Sequence, residues 1–212
     1  MSKNYYFKKQ RTGLMLLGGL MSLAIAFSLT PTFAGLVASI QNSTNTAVTG
    51  TLTMQEKSGS LICNSNDGNT TNTATCASIN KYGGETSPIT PGKTNTTNIT
   101  IKNTGSLAAT GFTVKGETCT KTNLPGASFS GSGNLCDKIQ VKISSGGTTI
   151  YDGTATAFAS ASATNILTKL SKTSIAANEE IQLKIEATLD ASADSTVQGQ
   201  KVSQPITWQF SA

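Results

Sequence analysis

Apolar and polar residues alternate with a period of two in a series of short runs after residue 46. Ile99 and Ile101 stand among Asn98, Thr100 and Lys102, and Phe112 and Val114 among Thr113 and Lys115. Ile139, Val141 and Ile143 alternate with Gln140 and Lys142. The longest run is Ile181, Leu183, Ile185, Ala187 and Leu189, and the last is Ile206, Trp208 and Phe210. An earlier, weaker set is Val48, Leu52 and Met54, among Thr and Gly. A period of two with polar partners predicts strands with one wet face, hence antiparallel sheet. Asn103-Thr104-Gly105, Tyr151-Asp152-Gly153 and Gln198-Gly199 punctuate the runs as turns. Ser145, Gly146 and Gly147 between Ile143 and Ile150 predict a hairpin. Repeated short strands of this kind predict an all-β sandwich. Trp208, in phase with Ile206 and Phe210, is expected in its core.

Two stretches depart from the alternation. Residues 154–165 are rich in Ala and Ser and read as a short helix over 155–163 or as a crossover loop, the helix being slightly favoured. Residues 64–98 are rich in Asn, Thr and Gly, with Pro88 and Pro91, and read as an exposed insertion. The sandwich is therefore expected over residues 47–212, with that insertion inside it. About 175 residues suffice for one such core.

The N-terminus follows another pattern. Residues 2–12 are polar and basic, 13–29 are apolar, and Pro31 ends any helix. Thr32-Phe33-Ala34 has small residues at the outer positions of a cleavage site. This is the three-part plan of a secretory signal over residues 1–34, cut between Ala34 and Gly35. The alternative is a retained membrane anchor, for which the apolar run is barely long enough.

The charge falls close to balance once that segment is set aside. The formal net charge is +5, from 16 basic and 11 acidic residues. Four of the basic residues, Lys3, Lys8, Lys9 and Arg11, lie in the signal, which leaves 12 basic against 11 acidic. Arg11 is the only arginine, so the processed chain has no guanidinium fork for phosphates or bases. Nucleic acid is excluded as an expected partner. The membrane is expected to be met only through the N-terminal segment.

The chain contains no His, which excludes a Ser-His-Asp triad, a Cys-His pair and a His-ligated zinc. The carboxylates are scattered. Glu179 and Glu180 are adjacent, and alternation sends them to opposite faces. Asp190 and Asp194 flank a turn, where Asp is common for backbone reasons; calcium is the alternative. Asn42, Asn69, Asn95 and Asn98 fit the glycosylation pattern, but Ser and Thr make up roughly a quarter of the chain, so chance suffices. No catalytic residue, metal site or cofactor is expected.

Cys63, Cys76, Cys119 and Cys136 all follow the signal, which fits an oxidising destination. Four cysteines allow three pairings. The sequential one is favoured because both enclosed segments are flexible and gain most from a staple. A four-cysteine zinc site would call for closer pairs than these.

Residues 35–46 form the last feature. Leu36, Ala38 and Ile40 alternate, and the polar run 42–46 follows. A mobile apolar strand on a spacer suits donation to a neighbouring subunit's sheet; an edge strand within its own subunit is the alternative.

These residues together resemble the TasA/camelysin family of secreted bacterial proteins, whose signals are cut by SipW-type peptidases. The likeness runs through Phe33-Ala34, Ala38-Ser39-Ile40, residues 50–54, the stretch from Ile99 to Gly105, and the end from Ile206 to Ala212. It implies a jelly-roll-like sandwich, export through the general secretory route with signal peptidase as a transient partner, and homotypic assembly into biofilm-matrix fibres. Leu36, Ala38 and Ile40 would be the donor. Some relatives have been classed as metallopeptidases, a role for which this chain has no His. The four cysteines and the 64–98 stretch depart from the fibre formers. The expectation is a secreted structural protein of the cell surface or matrix. A monomeric binding module is the alternative, with the 64–98 and 119–136 loops as its contact surface and Tyr82 and Phe129 as their aromatics.

Overall fold

The computed structural model describes residues 46–83 and 88–212. The chain divides into two units, Met1–Ala47 and Val48–Ala212. The second is an all-β antiparallel sandwich that holds both disulfides and the whole core. The signal, the Ala34 and Gly35 junction and the donor residues Leu36, Ala38 and Ile40 lie outside the described residues.

One layer is a six-stranded sheet. In chain order its strands are β1 (Met54–Ser58), β2 (Leu61–Asn64), β3 (Thr94–Asn103), β6 (Ile139–Ser145), β7 (Thr148–Thr154) and β9 (Glu180–Leu189). Their spatial order is β2-β1-β3-β9-β6-β7. The second layer is built on β4 (Gly111–Gly116), flanked by β8 (Thr164–Asn165) and β11 (Ile206–Ser211) in the order β11-β4-β8. A ribbon of β5 (Thr120–Asn123) and β10 (Gln200–Ser203) extends this side.

The alternation explains the centre. Ile181, Leu183, Ile185, Ala187 and Leu189 on β9 are all buried, and they face the core beside Ile99 and Ile101 of β3. Phe112 and Val114 of β4 close the core from the other layer. Burial of this kind contributes roughly 1.5–3 kcal/mol for each large side chain. Glu180 points out to solvent, as its phase requires.

Turn chemistry shapes the connections. Gly146 and Gly147 both take positive φ (53° and 86°), the conformation a two-residue hairpin between β6 and β7 demands. Helix α1 (Ala155–Ser160) is capped by Thr154, whose hydroxyl accepts from the Ala157 N–H. Its Phe158 is buried against Tyr151, with ring centroids 4.3 Å apart. Helix α2 (Ile166–Lys169) begins on the Asn165 cap.

Several expectations are corrected. The helix expected over 155–163 ends at Ser160, because the chain must extend to bring Thr164 and Asn165 beside β4. No strand forms at Val48, which is 94% exposed; β1 begins at Met54. Residues 51–53 instead run beside the turn after β3, where the N–H groups of Thr104 and Ser106 donate to the carbonyls of Thr53 and Thr51. The 64–98 stretch is not simply an exposed insertion. Its last residues belong to β3, and Ile79 within it is 4% exposed and part of the core. Trp208 and its neighbours on β11 are only half-buried, because β11 has β4 on one side and no strand on the other among the described residues.

The disulfides join Cys63 to Cys76 and Cys119 to Cys136, the sequential pairing, with Cα–Cα distances of 5.9 and 6.1 Å. The first anchors the loop after β2. The second ties the turn at Cys136 to the start of β5.

Candidate functional site: an open groove along the edge of β11

The site lies along β11, which has no second neighbouring strand among the described residues. In an antiparallel pair, directly opposed residues share a face. Ile206, Trp208 and Phe210 oppose Gly116, Val114 and Phe112, so they face inward. Phe210 meets Phe112 edge-on, with centroids 4.9 Å apart, and Trp208 lies 6.2 Å from the same ring. Yet all three are half-buried, whereas Phe112 and Val114 are sealed. The difference is that β4 has a strand on each side and β11, among the described residues, on one side only.

Beyond them lies a groove with a cavity volume of about 1120 Å³, whose facing wall includes Leu52, Met54 and Glu56. That size exceeds most small-molecule pockets, and the shape follows a strand edge. The Glu117 N–H donates to the Pro205 carbonyl across the β4–β11 ladder. Ladder alternation then turns the backbone of Thr207 and Gln209 toward β4, and that of Ile206, Trp208 and Phe210 toward the open side. The Trp208 indole N–H is buried with no hydrogen-bond partner among the described residues. Such a donor costs about 1–3 kcal/mol until something accepts from it.

A strap crosses the groove. Glu56 occupies an inward position of β1, where an apolar residue is normal, and Lys81 reaches it from the loop after the first disulfide. The ammonium lies 2.9 Å from Oε1, as an ion-pair contact, and donates a hydrogen bond to Oε2 at 3.1 Å. It also donates to the Ile79 carbonyl. Tyr82 donates its hydroxyl to Gln204 Oε1 at 2.5 Å. Gln204, just before β11, is itself held by donating to the carbonyls of Glu117 and Ala155. On the six-stranded sheet, Asn95 donates to the Tyr82 carbonyl and Thr97 to the Asn80 carbonyl. Burial pushes the Tyr82 phenol well above its ordinary pKa. Tyr82 is thus an internal tether and not a surface aromatic. Phe129, 54% exposed, is the aromatic left on the loops expected as a contact surface.

The other candidate positions serve their own loops. Asp190 accepts from the Ser192 N–H, and Asp194 from the N–H and hydroxyl of Thr196. These bonds, helped by the charge of Lys138, hold both carboxyls below their ordinary pKa. Glu179 is held down in the same way by Lys172 and the Ala176 N–H. Among the described residues no three His, Cys, Asp or Glu side chains gather as a metal site, and no helix is long and apolar enough to cross a membrane.

The alternation of β11 was visible in the sequence, but it could not say whether a strand covered that face. Glu56 and Lys81 carried no signal at all, since they meet only through the loop's path. No protein-family model matches this chain, and no curated protein matches it.

Proposed function

We propose that this chain is an exported structural subunit of the cell surface or biofilm matrix, and that it assembles into fibres by strand donation. The N-terminal strand of one copy would enter the β11 groove of the next. The role is structural, with no catalytic step and no cofactor. One observation carries this reading: a strand at the sheet edge among the described residues, whose inward residues Ile206, Trp208 and Phe210 stay half-exposed above a groove lined by Leu52, Met54 and Ile79 together with polar side chains. An added strand pairs with such an edge through its backbone and fills the groove with alternate side chains.

The occupant is argued from the chain itself. The unit Met1–Ala47 precedes the sandwich, and it contains one short apolar alternation after the signal, Leu36, Ala38 and Ile40. A spacer follows it, and ten residues (41–50) can span about 33 Å when extended. A donated strand also offers carbonyls to an edge beside the Trp208 indole, whose N–H has no hydrogen-bond partner among the described residues. A head-to-tail contact of this kind builds fibres when its rotation does not close a ring. The resemblance of both chain ends to the TasA/camelysin family supports the same reading. The signal-like N-terminus and the two disulfides support export to an oxidising compartment, where signal peptidase would free Gly35.

Negative-stain electron microscopy of a chain starting at Gly35, beside one starting at Thr46, tests this. Fibres from the first and none from the second are expected. Monodisperse particles from both, across pH and salt, would overturn it. A monomeric Gly35 chain whose Trp208 is shielded relative to the Thr46 chain would show insertion into the same copy, and would overturn the fibre. A monomeric binding module is the second reading, favoured by Phe129 and Leu124, both exposed on the loop tied by the second disulfide.

A further inference from the structure

The strap limits the groove. The Cys63–Cys76 bridge fixes the strap's start, Ile79 anchors it in the core, and Lys81 and Tyr82 tie it to opposite walls through Glu56 and Gln204. A strand lying along β11 from the Phe210 end meets it at Gln204. Between that end and the strap, β11 offers three inward positions spaced by two: Phe210, Trp208 and Ile206. The middle position carries the largest side chain in the chain.

We propose that residues 76–82 act as a register stop, confining the groove to those three positions and seating a three-toothed apolar strand with its smallest tooth, Ala38, against Trp208. This rests on the reading of the groove as a strand acceptor. Leu36, Ala38 and Ile40 supply three teeth at the same spacing, with polar Asn42 next in phase. The central match holds whether the strand runs parallel or antiparallel to β11, because the middle tooth stays in the middle. A slip of two residues toward the strap would put Leu36 or Ile40 against the indole, which overpacks it, and would drive a tooth into the Tyr82–Gln204 tether. The cavity itself runs on past Gln204 along Val202 and Gln200, so only the strap where it crosses β11 blocks the slip.

Trp208 is the only tryptophan, so its fluorescence reads the central position alone. The acceptor is the chain from Thr46, which retains every described strand, both disulfides and the full core. The probe is a synthetic peptide of residues 35–46 carrying a nitroxide on one outward residue, Val37→Cys, Ser39→Cys or Gln41→Cys, so that all three teeth are kept. Quenching from positions 37 and 39, which flank Ala38, is expected to agree within a factor of two and to exceed that from 41 at least threefold. With the strap loosened at its start by Cys63→Ser and Cys76→Ser, the three positions are expected to quench within a factor of two. Tyr82→Phe, which keeps the ring and removes only the Gln204 tether, is expected to fall between, and its near-UV circular dichroism reports that it is folded. A contrast equally sharp in all three acceptors would overturn the register stop and leave strand donation standing. A flat profile in the unmodified acceptor would do the same. No binding to any acceptor would overturn the stop together with the reading it rests on.

Discussion

Lys81 lays its ammonium against both oxygens of Glu56, a residue 25 positions earlier on the opposite wall of the groove. Their side chains are 12% and 8% exposed. Removing one partner leaves a charge uncompensated in a poorly solvated place, which costs about 3–5 kcal/mol. Lys81→Met is therefore expected to destabilise strongly. The double variant Glu56→Leu with Lys81→Met is expected to recover most of that loss, because apolar replacements of similar volume remove the desolvation cost as well. Urea unfolding of the single and double variants checks this. A double variant no more stable than Lys81→Met would show that the pair holds the strap by more than charge balance.

Asn103 is fully buried at the end of β3, and each end of its amide is used. Its Nδ2 donates to the carbonyls of Leu107 at 2.7 Å and Ile175 at 3.1 Å, and its Oδ1 accepts from the Gly105 N–H at 3.0 Å. Asn103→Leu keeps the volume but strands the Leu107 carbonyl and the Gly105 N–H, while the Ile175 carbonyl keeps its bond from the Ala109 N–H. At about 1–3 kcal/mol for each buried group left unpaired, a loss of several kcal/mol is expected. Asn103→Asp keeps the acceptor, yet places a carboxylate against two carbonyls, and is expected to be no better. Denaturant midpoints decide; a loss under about 1 kcal/mol would show that water replaces the amide.

What the sequence disclosed follows from how each element is stabilised. β9 was legible because Ile181 to Leu189 put every apolar side chain on one buried face. β5 (Thr-Lys-Thr-Asn) and β10 (Gln-Lys-Val-Ser) were not, because they hold together by backbone ladder with little buried apolar surface. The six-residue helix was overextended because Ala and Ser carry on a helical composition past the point where Thr164 must reach β4. At the groove, the phase of Ile206, Trp208 and Phe210 was readable, but its open side is a property of strand order. Glu56 sits in an apolar phase, so its pattern gave no hint of a partner in a loop that reads as polar and exposed.

Acid should weaken the fold, and the sign follows from the carboxyls held below their ordinary values. Lys172 lies 2.6 Å from Glu179 Oε1, and the Ala176 N–H donates to Oε2. A carboxyl with a lowered folded pKa contributes stability that is full above its unfolded value and is lost as pH falls through the folded one. For Glu179 the loss starts below about 4.5, and for Asp67, Asp190 and Asp194 below about 3.8. With no histidine in the chain, stability is expected to be level from pH 5 to 8. Glu179→Gln is expected to cost stability at pH 7 and progressively less at pH 3 and pH 2. A cost unchanged between pH 7 and pH 2 would show that the ion pair and cap contribute nothing to it.

Gly105 and Gly50 separate two kinds of crowding in one small region. A Cβ on Gly105 would collide with backbone atoms of Thr51, Leu52 and Thr53, the segment by which the chain enters the sandwich beside the groove. Backbone held by hydrogen bonds from Thr104 and Ser106 cannot step aside cheaply. A Cβ on Gly50 would meet only the side chain of Leu107, which is half-exposed and free to change rotamer. Gly105→Ala is therefore expected to cost about 1–3 kcal/mol or more, the range for overpacked sites. Gly50→Ala is expected to stay within about 0.5 kcal/mol of the parent. Thermal unfolding of the two variants, run side by side, checks the contrast. Equal melting temperatures would mean that residues 51–53 yield as easily as a side chain. The groove's Leu52 wall would then be a movable element, not a fixed one.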